Sequence, residues 1–131
     1  MLTFAVVAGA QQAPQKKDTK PTAPVLEQEP PEEDVSLVPK EYSFNPLQAS
    51  KDLRIGNYYF KKGNYRAAAH RFEEATKWDG TNAEAYLRLG EAKEKQRDRK
   101  AAAEAYAKYL EIAPDAKDAP EVKKRLEKVH K

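Results

Sequence analysis

A period of 34 residues constrains this chain more than any other feature. Gly56 is followed at that interval by Gly90, Ala68 by Ala102, Phe72 by Tyr106, and Gly80 by Pro114. The period contains two helical stretches and two turns, so each unit reads as a helix-turn-helix hairpin. One such hairpin cannot bury its apolar face alone. Stacked copies share a continuous core, and their end copies need cover.

Turn and cap residues divide the stretch after residue 45 into helices. Asn45 and Pro46 suit an N-cap and a first helical position, which predicts a first helix over 46–61. Gly63-Asn64 breaks it, and Asn64 caps a second helix running to about Trp78. The turn DGTN follows, with Asn82 capping a third helix to about Gln96. Asp98 caps a fourth that ends before Pro114, and Asp118 with Pro120 opens a last helix to about Val129. Apolar positions recur at helical spacing, as in Ala68, Phe72 and Ala75, or Val122, Leu126 and Val129. The expected class is all-α, with successive helices paired as antiparallel hairpins.

The first 45 residues are different in kind. They hold six of the nine prolines and carry four basic against seven acidic residues, while residues 46–131 carry 20 against 14. Residues 11–45 therefore read as a disordered, proline- and acid-rich tether, too poor in apolar surface to offset its ordering entropy. Residues 1–10 form a short apolar run ending in Ala8-Gly9-Ala10, the pattern of a signal-peptide cleavage site before Gln11. The expectation is export, with a periplasmic or secreted product. The alternative is an incidental apolar N-terminus and a cytoplasmic protein. The run is too short to span a bilayer, which takes about 20 apolar residues.

The repeating residues resemble the tetratricopeptide repeat family. A first repeat over 49–82 carries Ile55-Gly56, Tyr59, Gly63, Tyr65, Ala68, Phe72 and Ala75. A second over 83–116 carries Tyr86, Leu89-Gly90, Ala102, Tyr106 and Pro114. The segment 118–130 resembles the solvating cap helix of such arrays. Small residues at 56, 90, 68 and 102 suit close helix contacts, and the aromatics fill the wedge between helices. The departures are Asp52 at a usually bulky position, Lys93 in place of Tyr59, Arg97 in place of Gly63, and Tyr109 at a usually small position. They predict less regular packing in the second pair, or contact between Tyr109 and the last helix.

The chain has no cysteine, which excludes disulfides, cysteine-ligated metals and thiol catalysis. His70 lies off the Ala68–Phe72–Ala75 stripe and His130 is next to the end, so neither suggests a metal or catalytic pair. No cofactor and no enzyme activity are expected. The basic run KEKQRDRK is diluted by Glu94 and Asp98 and lacks stacking aromatics, which argues against nucleic acid.

A binding surface remains. In the family that the chain resembles, the first helix of each repeat lines a concave groove for peptides or helices of protein partners. By position that face is Ser50, Leu53, Asn57, Phe60 and Lys61, then Glu84, Leu87, Glu91, Glu94 and Lys95. Leu53, Phe60 and Leu87 would form an apolar strip, with Asn57 placed to bond a peptide backbone. The resemblance does not extend to the carboxylate clamp of chaperone-binding members, because Leu53 stands at one of its lysine positions. Two other function classes stay open: a small-ligand-binding accessory subunit and a self-associating structural repeat. A monomer is expected, with Tyr42, Phe44 and Leu47 folded back over the open side of the first helix; a dimer or complex is the alternative if they do not fold back.

Overall fold

The computed structural model describes residues 40–131. The expected signal segment, and the tether up to residue 39, lie outside them. Within the described residues the fold is five helices in series: α1 (Pro46–Lys61), α2 (Tyr65–Trp78), α3 (Ala83–Lys95), α4 (Arg99–Ile112) and α5 (Ala119–His130). Each packs on its neighbours in sequence, α1 on α2, α2 on α3, α3 on α4 and α4 on α5.

Local chemistry sets the starts. The side chains of Asn45, Asn64, Asn82 and Asp98 each accept a hydrogen bond from the backbone N–H three residues on, at 3.0–3.1 Å. Each bond satisfies one of the donors that a helix start leaves orphaned. The last helix opens at Asp118 and Pro120 as expected, but by another local bond. Asp118 makes no side-chain cap bond there, and its backbone carbonyl alone accepts from Val122 N. Pro120 lacks an N–H, so one orphan donor is absent anyway.

The turns inside the two hairpins are the same in spite of their different residues. Gly63 N–H donates to Phe60 O at 3.0 Å and Asn64 N–H to Tyr59 O at 2.9 Å. Arg97 N–H donates to Glu94 O and Asp98 N–H to Lys93 O, both at 2.9 Å. Gly63 has φ +81°, and Arg97 adopts φ +64° to make the identical turn. The expected irregularity of the second pair is thus absent at this turn. The strain falls on one arginine instead, at a conformation that disfavours any side chain with a Cβ.

Two clusters make the core. Phe72, fully buried, centres the first with Ala49, Leu53 and Ala75. Tyr106, also fully buried, centres the second with Ala102, Tyr109 and Val122. Tyr109 does meet the last helix, the second of the two outcomes that its size allowed. Asp52, 2% exposed, sits in the first hairpin beside this apolar packing. A buried carboxylate needs a partner. It accepts from Arg71 Nη1 at 2.7 Å and from Gln48 Nε2 at 3.2 Å.

The segment before α1 does not cover that helix as expected. Tyr42 crosses to α2, where its ring meets Trp78 edge-on at 4.8 Å and its hydroxyl donates to Glu74 Oε2 at 2.6 Å. Lys40 Nζ donates to the other Glu74 oxygen at 2.7 Å. Asn45 N–H donates to Trp78 O at 2.9 Å, pinning the start of α1 to the end of α2. Phe44 and Leu47 are left in solvent, 72% and 81% exposed.

Candidate functional site

A groove of about 630 Å³ opens between the helices. Phe60 lines it from α1. Arg88, Glu91, Glu94 and Lys95 line it from α3, and Glu121, Lys124, Arg125 and Lys128 from α5. Helices α2 and α4 contribute nothing to the lining. The hairpins therefore lie with their first helices toward the groove and their second helices behind. Steps of 34 residues join the groove positions across three helices, as Asn57, Glu91 and Arg125, and again as Phe60, Glu94 and Lys128. By this register α5 occupies the place of a third first helix.

A chain of polar contacts crosses the groove floor. Arg88 Nε donates to Asn57 Oδ1 at 2.9 Å, and Arg88 Nη1 donates to Glu91 Oε1. Arg125 Nη1 donates to Glu91 Oε2 at 3.1 Å, and its Nε faces Glu121 at 3.7 Å. The Tyr106 hydroxyl donates to Glu94, with Arg125 Nη1 at 3.5 Å from the same oxygen. Burial and the bond to Glu94 push the Tyr106 hydroxyl well above the usual phenol range, so it stays a donor. The contact with Tyr106 raises Arg125, burial opposes this, and the charges of Glu91 and Glu94 reinforce it. Arg125 is a fixed cation that ties α5 to α3.

The Arg88 guanidinium also lies over the Phe60 ring, 4.5 Å from its centroid. That places a cation on an aromatic face at one wall of the groove. The lysines are arranged differently. Lys95 lies over Tyr65 at 5.8 Å. Lys124 and Lys128 have no carboxylate partner among the described residues. The lining holds five cations against three carboxylates, and the unmatched charge is on the lysines.

Of the residues that the sequence singled out, Phe60, Glu91 and Lys95 line the groove, as does Glu94. Asn57 is beside it, with its carbonyl oxygen engaged by Arg88. Lys61 is exposed at the end of α1 and lies outside the lining. Ser50 and Glu84 are exposed and also lie outside it. Leu53 is only 8% exposed and belongs to the first core cluster, and Leu87 packs half-buried against the second. The apolar strip of Leu53, Phe60 and Leu87 is therefore not an open surface, and only Phe60 reaches the groove. Position in the repeat did not point to Arg88 or to the contribution of α5. One more step of 34, from Glu91 to Arg125 and from Glu94 to Lys128, marks α5 as part of this face.

His70 and His130 are exposed, and no group of three His, Cys, Asp or Glu among the described residues is placed to hold a metal ion. No described helix is long and apolar enough to cross a membrane.

Residues 53–117 match the family model described as tetratricopeptide repeat. No curated protein matches the chain. The matched segment begins within α1 and closes just before α5, so it takes in α2, α3 and α4 and the turns at Gly63 and Arg97. Proteins of this kind are typically non-enzymatic and act by protein–protein interaction. The 34-residue hairpins, their stacking in series and the family match agree: this chain is a tetratricopeptide repeat protein.

Proposed function

We propose that the chain is a non-enzymatic scaffold that holds an extended peptide or a helix of a protein partner in the groove between α1, α3 and α5. The observation that carries this is the groove itself. It is open, lined from three helices in one register, and walled on one side by the Arg88–Phe60 stack. Its floor is held by internal hydrogen bonds, so a partner meets a preformed surface, which lowers the ordering cost of binding. We assign this function to the cell envelope, on the strength of the Ala8-Gly9-Ala10 sequence after an apolar run.

Selection of a random peptide library on the full chain tests the reading. Enriched peptides should shift the NMR signals of Phe60, Arg88 and Lys95, and should lose binding to Arg88→Glu. Failure to enrich any peptide, or enrichment that maps to the α2–α4 side, would sink it.

One observation favours a second reading, self-association. Phe44 and Leu47 are large apolar side chains left in solvent at the open end of the array. Light scattering on the full chain and on Phe44→Ser/Leu47→Ser decides between the two. A dimer that the double substitution dissolves supports self-association, and a monomer in both rejects it.

A further inference from the structure

We infer that the partner segment is acidic, that it lies extended along α5, and that its carboxylates fall at alternate residues. The inference rests on the groove reading above and names the chemistry of its ligand.

The first observation is the distribution of satisfied and unsatisfied charge. Arg88 and Arg125 are committed to Asn57, Glu91 and Glu121. Glu94 is committed to the Tyr106 hydroxyl. The groove's remaining cations are Lys95, Lys124 and Lys128, which have no carboxylate partner among the described residues. A ligand entering this groove therefore meets a floor whose two arginines face three carboxylates, and a rim of three lysines, so the groove as a whole is positive. Such a rim favours carboxylates and repels cations, which sets selectivity and encounter rate more than raw affinity.

The second observation is spacing. Lys124 and Lys128 are one turn apart on α5, about 6 Å along the helix axis at 1.5 Å per residue. In an extended chain, side chains on one side recur every second residue, at about 6.6 Å. An extended segment running along α5 thus presents every other side chain to these two lysines. Acids at successive positions would point one carboxylate away from the helix. Val122 and Val129 are buried against α4, so α5 cannot turn its lysines elsewhere.

The chain has acids of its own at Glu27, Glu29, Glu32, Glu33 and Asp34. The chain enters the described region on the α2 side, where Lys40 and Tyr42 are bonded to Glu74. That helix contributes nothing to the groove. This favours a separate partner molecule as the occupant.

The test uses the full chain and three labelled octapeptides, read by fluorescence anisotropy. One alternates Glu and Ser. The second alternates Gln and Ser. The third has the same four Glu residues as Glu-Glu-Ser-Ser repeats. The alternating Glu peptide should bind best, and the Gln peptide not measurably. Lys124→Ala/Lys128→Ala should weaken the alternating peptide about fivefold or more, as expected for two rim ion pairs. Lys123→Ala, on an exposed lysine of α5 outside the lining, should leave affinity within about twofold. Raising salt to 1 M, where the screening length is about 3 Å, should abolish the difference between peptides.

Equal binding of the Gln peptide, or of the Glu-Glu-Ser-Ser peptide, overturns the inference. So does an equal loss in Lys123→Ala. Binding that emerges only after residues 27–34 have their acids changed to Gln and Asn overturns it too, because the chain's own acids would then be the occupant. Library peptides that bind the groove without acids would overturn this inference and leave the groove reading standing.

Discussion

Gly90 lies against the ring of Tyr106 so closely that a methyl group there would overlap it, and Gly56 lies against Phe72 in the same way, with a Cβ 2.5 Å from the ring. Each pair joins the two helices of one hairpin. The aromatic ring fills the space that the missing side chain leaves. Gly90→Ala and Gly56→Ala should each cost about 1–3 kcal/mol through overpacking. For a domain of this size, each kcal/mol corresponds to about 4–8 °C in Tm. Gly80→Ala is the control, because its nearest neighbour is a carbonyl oxygen at 3.7 Å. Thermal melts showing equal loss at all three positions would contradict the packing described.

Arg97 takes the left-handed conformation that Gly63 takes one repeat earlier. Arg97→Gly should therefore stabilise the protein by up to about 1 kcal/mol, by removing a Cβ clash. Gly63→Arg should destabilise by a similar amount. Denaturant midpoints of the two variants should move in opposite directions.

Asp52 and Arg71 form an ion pair inside the first hairpin, at 2.7 Å, with the Asp52 carboxylate 2% exposed. Asp52→Ala leaves the guanidinium without this partner and should cost about 3 kcal/mol or more. Asp52→Leu combined with Arg71→Met should cost less than Asp52→Ala alone, because no charge is then buried. Chemical denaturation of the three proteins checks this, and the opposite order would mean that the pair itself stabilises.

Glu74 holds the segment before α1 in place. Burial raises its pKa, and the hydrogen bonds from Lys40 and Tyr42 outweigh that effect, so the net shift is downward from 4.5. Burial first, and then the same contact, push the Tyr42 hydroxyl up to about 12. A lowered native pKa means that the unfolded chain binds the proton more tightly. The stabilisation is thus present at neutral pH and disappears as pH falls from about 4.5 through the native value. Glu74→Gln should cost about 1 kcal/mol at pH 7, a modest figure because Lys40 is largely exposed and solvent weakens its pairing. The gap in Tm between wild type and variant should close toward pH 3. A gap that widened on acidification would refute the assignment.

Export with cleavage before Gln11 predicts a shortened chain in the envelope fraction. N-terminal sequencing of that fraction is the measurement. Recovery of a chain starting at Met1 from the cytosol would show that the apolar run is not a signal.

Much of the helical framework is legible in the order of the residues alone. The 34-residue interval, the caps Asn45, Asn64, Asn82 and Asp98, and the apolar spacing on α2 and α5 set five helices and their limits. These signals are short-range. A cap bond spans three residues, and a buried stripe repeats within one helix, so each is settled by neighbours in the chain. The last helix opens at Asp118 and Pro120 as the sequence reads, with a backbone bond from Val122 in place of a side-chain cap bond.

The groove was readable only in part. Phe60, Glu91 and Lys95 were found by position, while Leu53 and Leu87 went to the core and Arg88 took the surface next to Phe60. Which side of a helix meets the groove depends on the rotation of that helix against both neighbours. That rotation follows from the sizes of side chains on other helices, here Phe72 behind Gly56 and Tyr106 behind Gly90. The direction of the segment before α1 was likewise decided at a distance. Tyr42 finds a buried carboxylate at Glu74, 32 residues later, and a ring at Trp78. The sequence by itself determined the helices and their order, because those depend on contacts within a few residues. Tertiary packing alone decided which charges remain unpaired on α5, because a lysine's partner is set by which helix stands across from it.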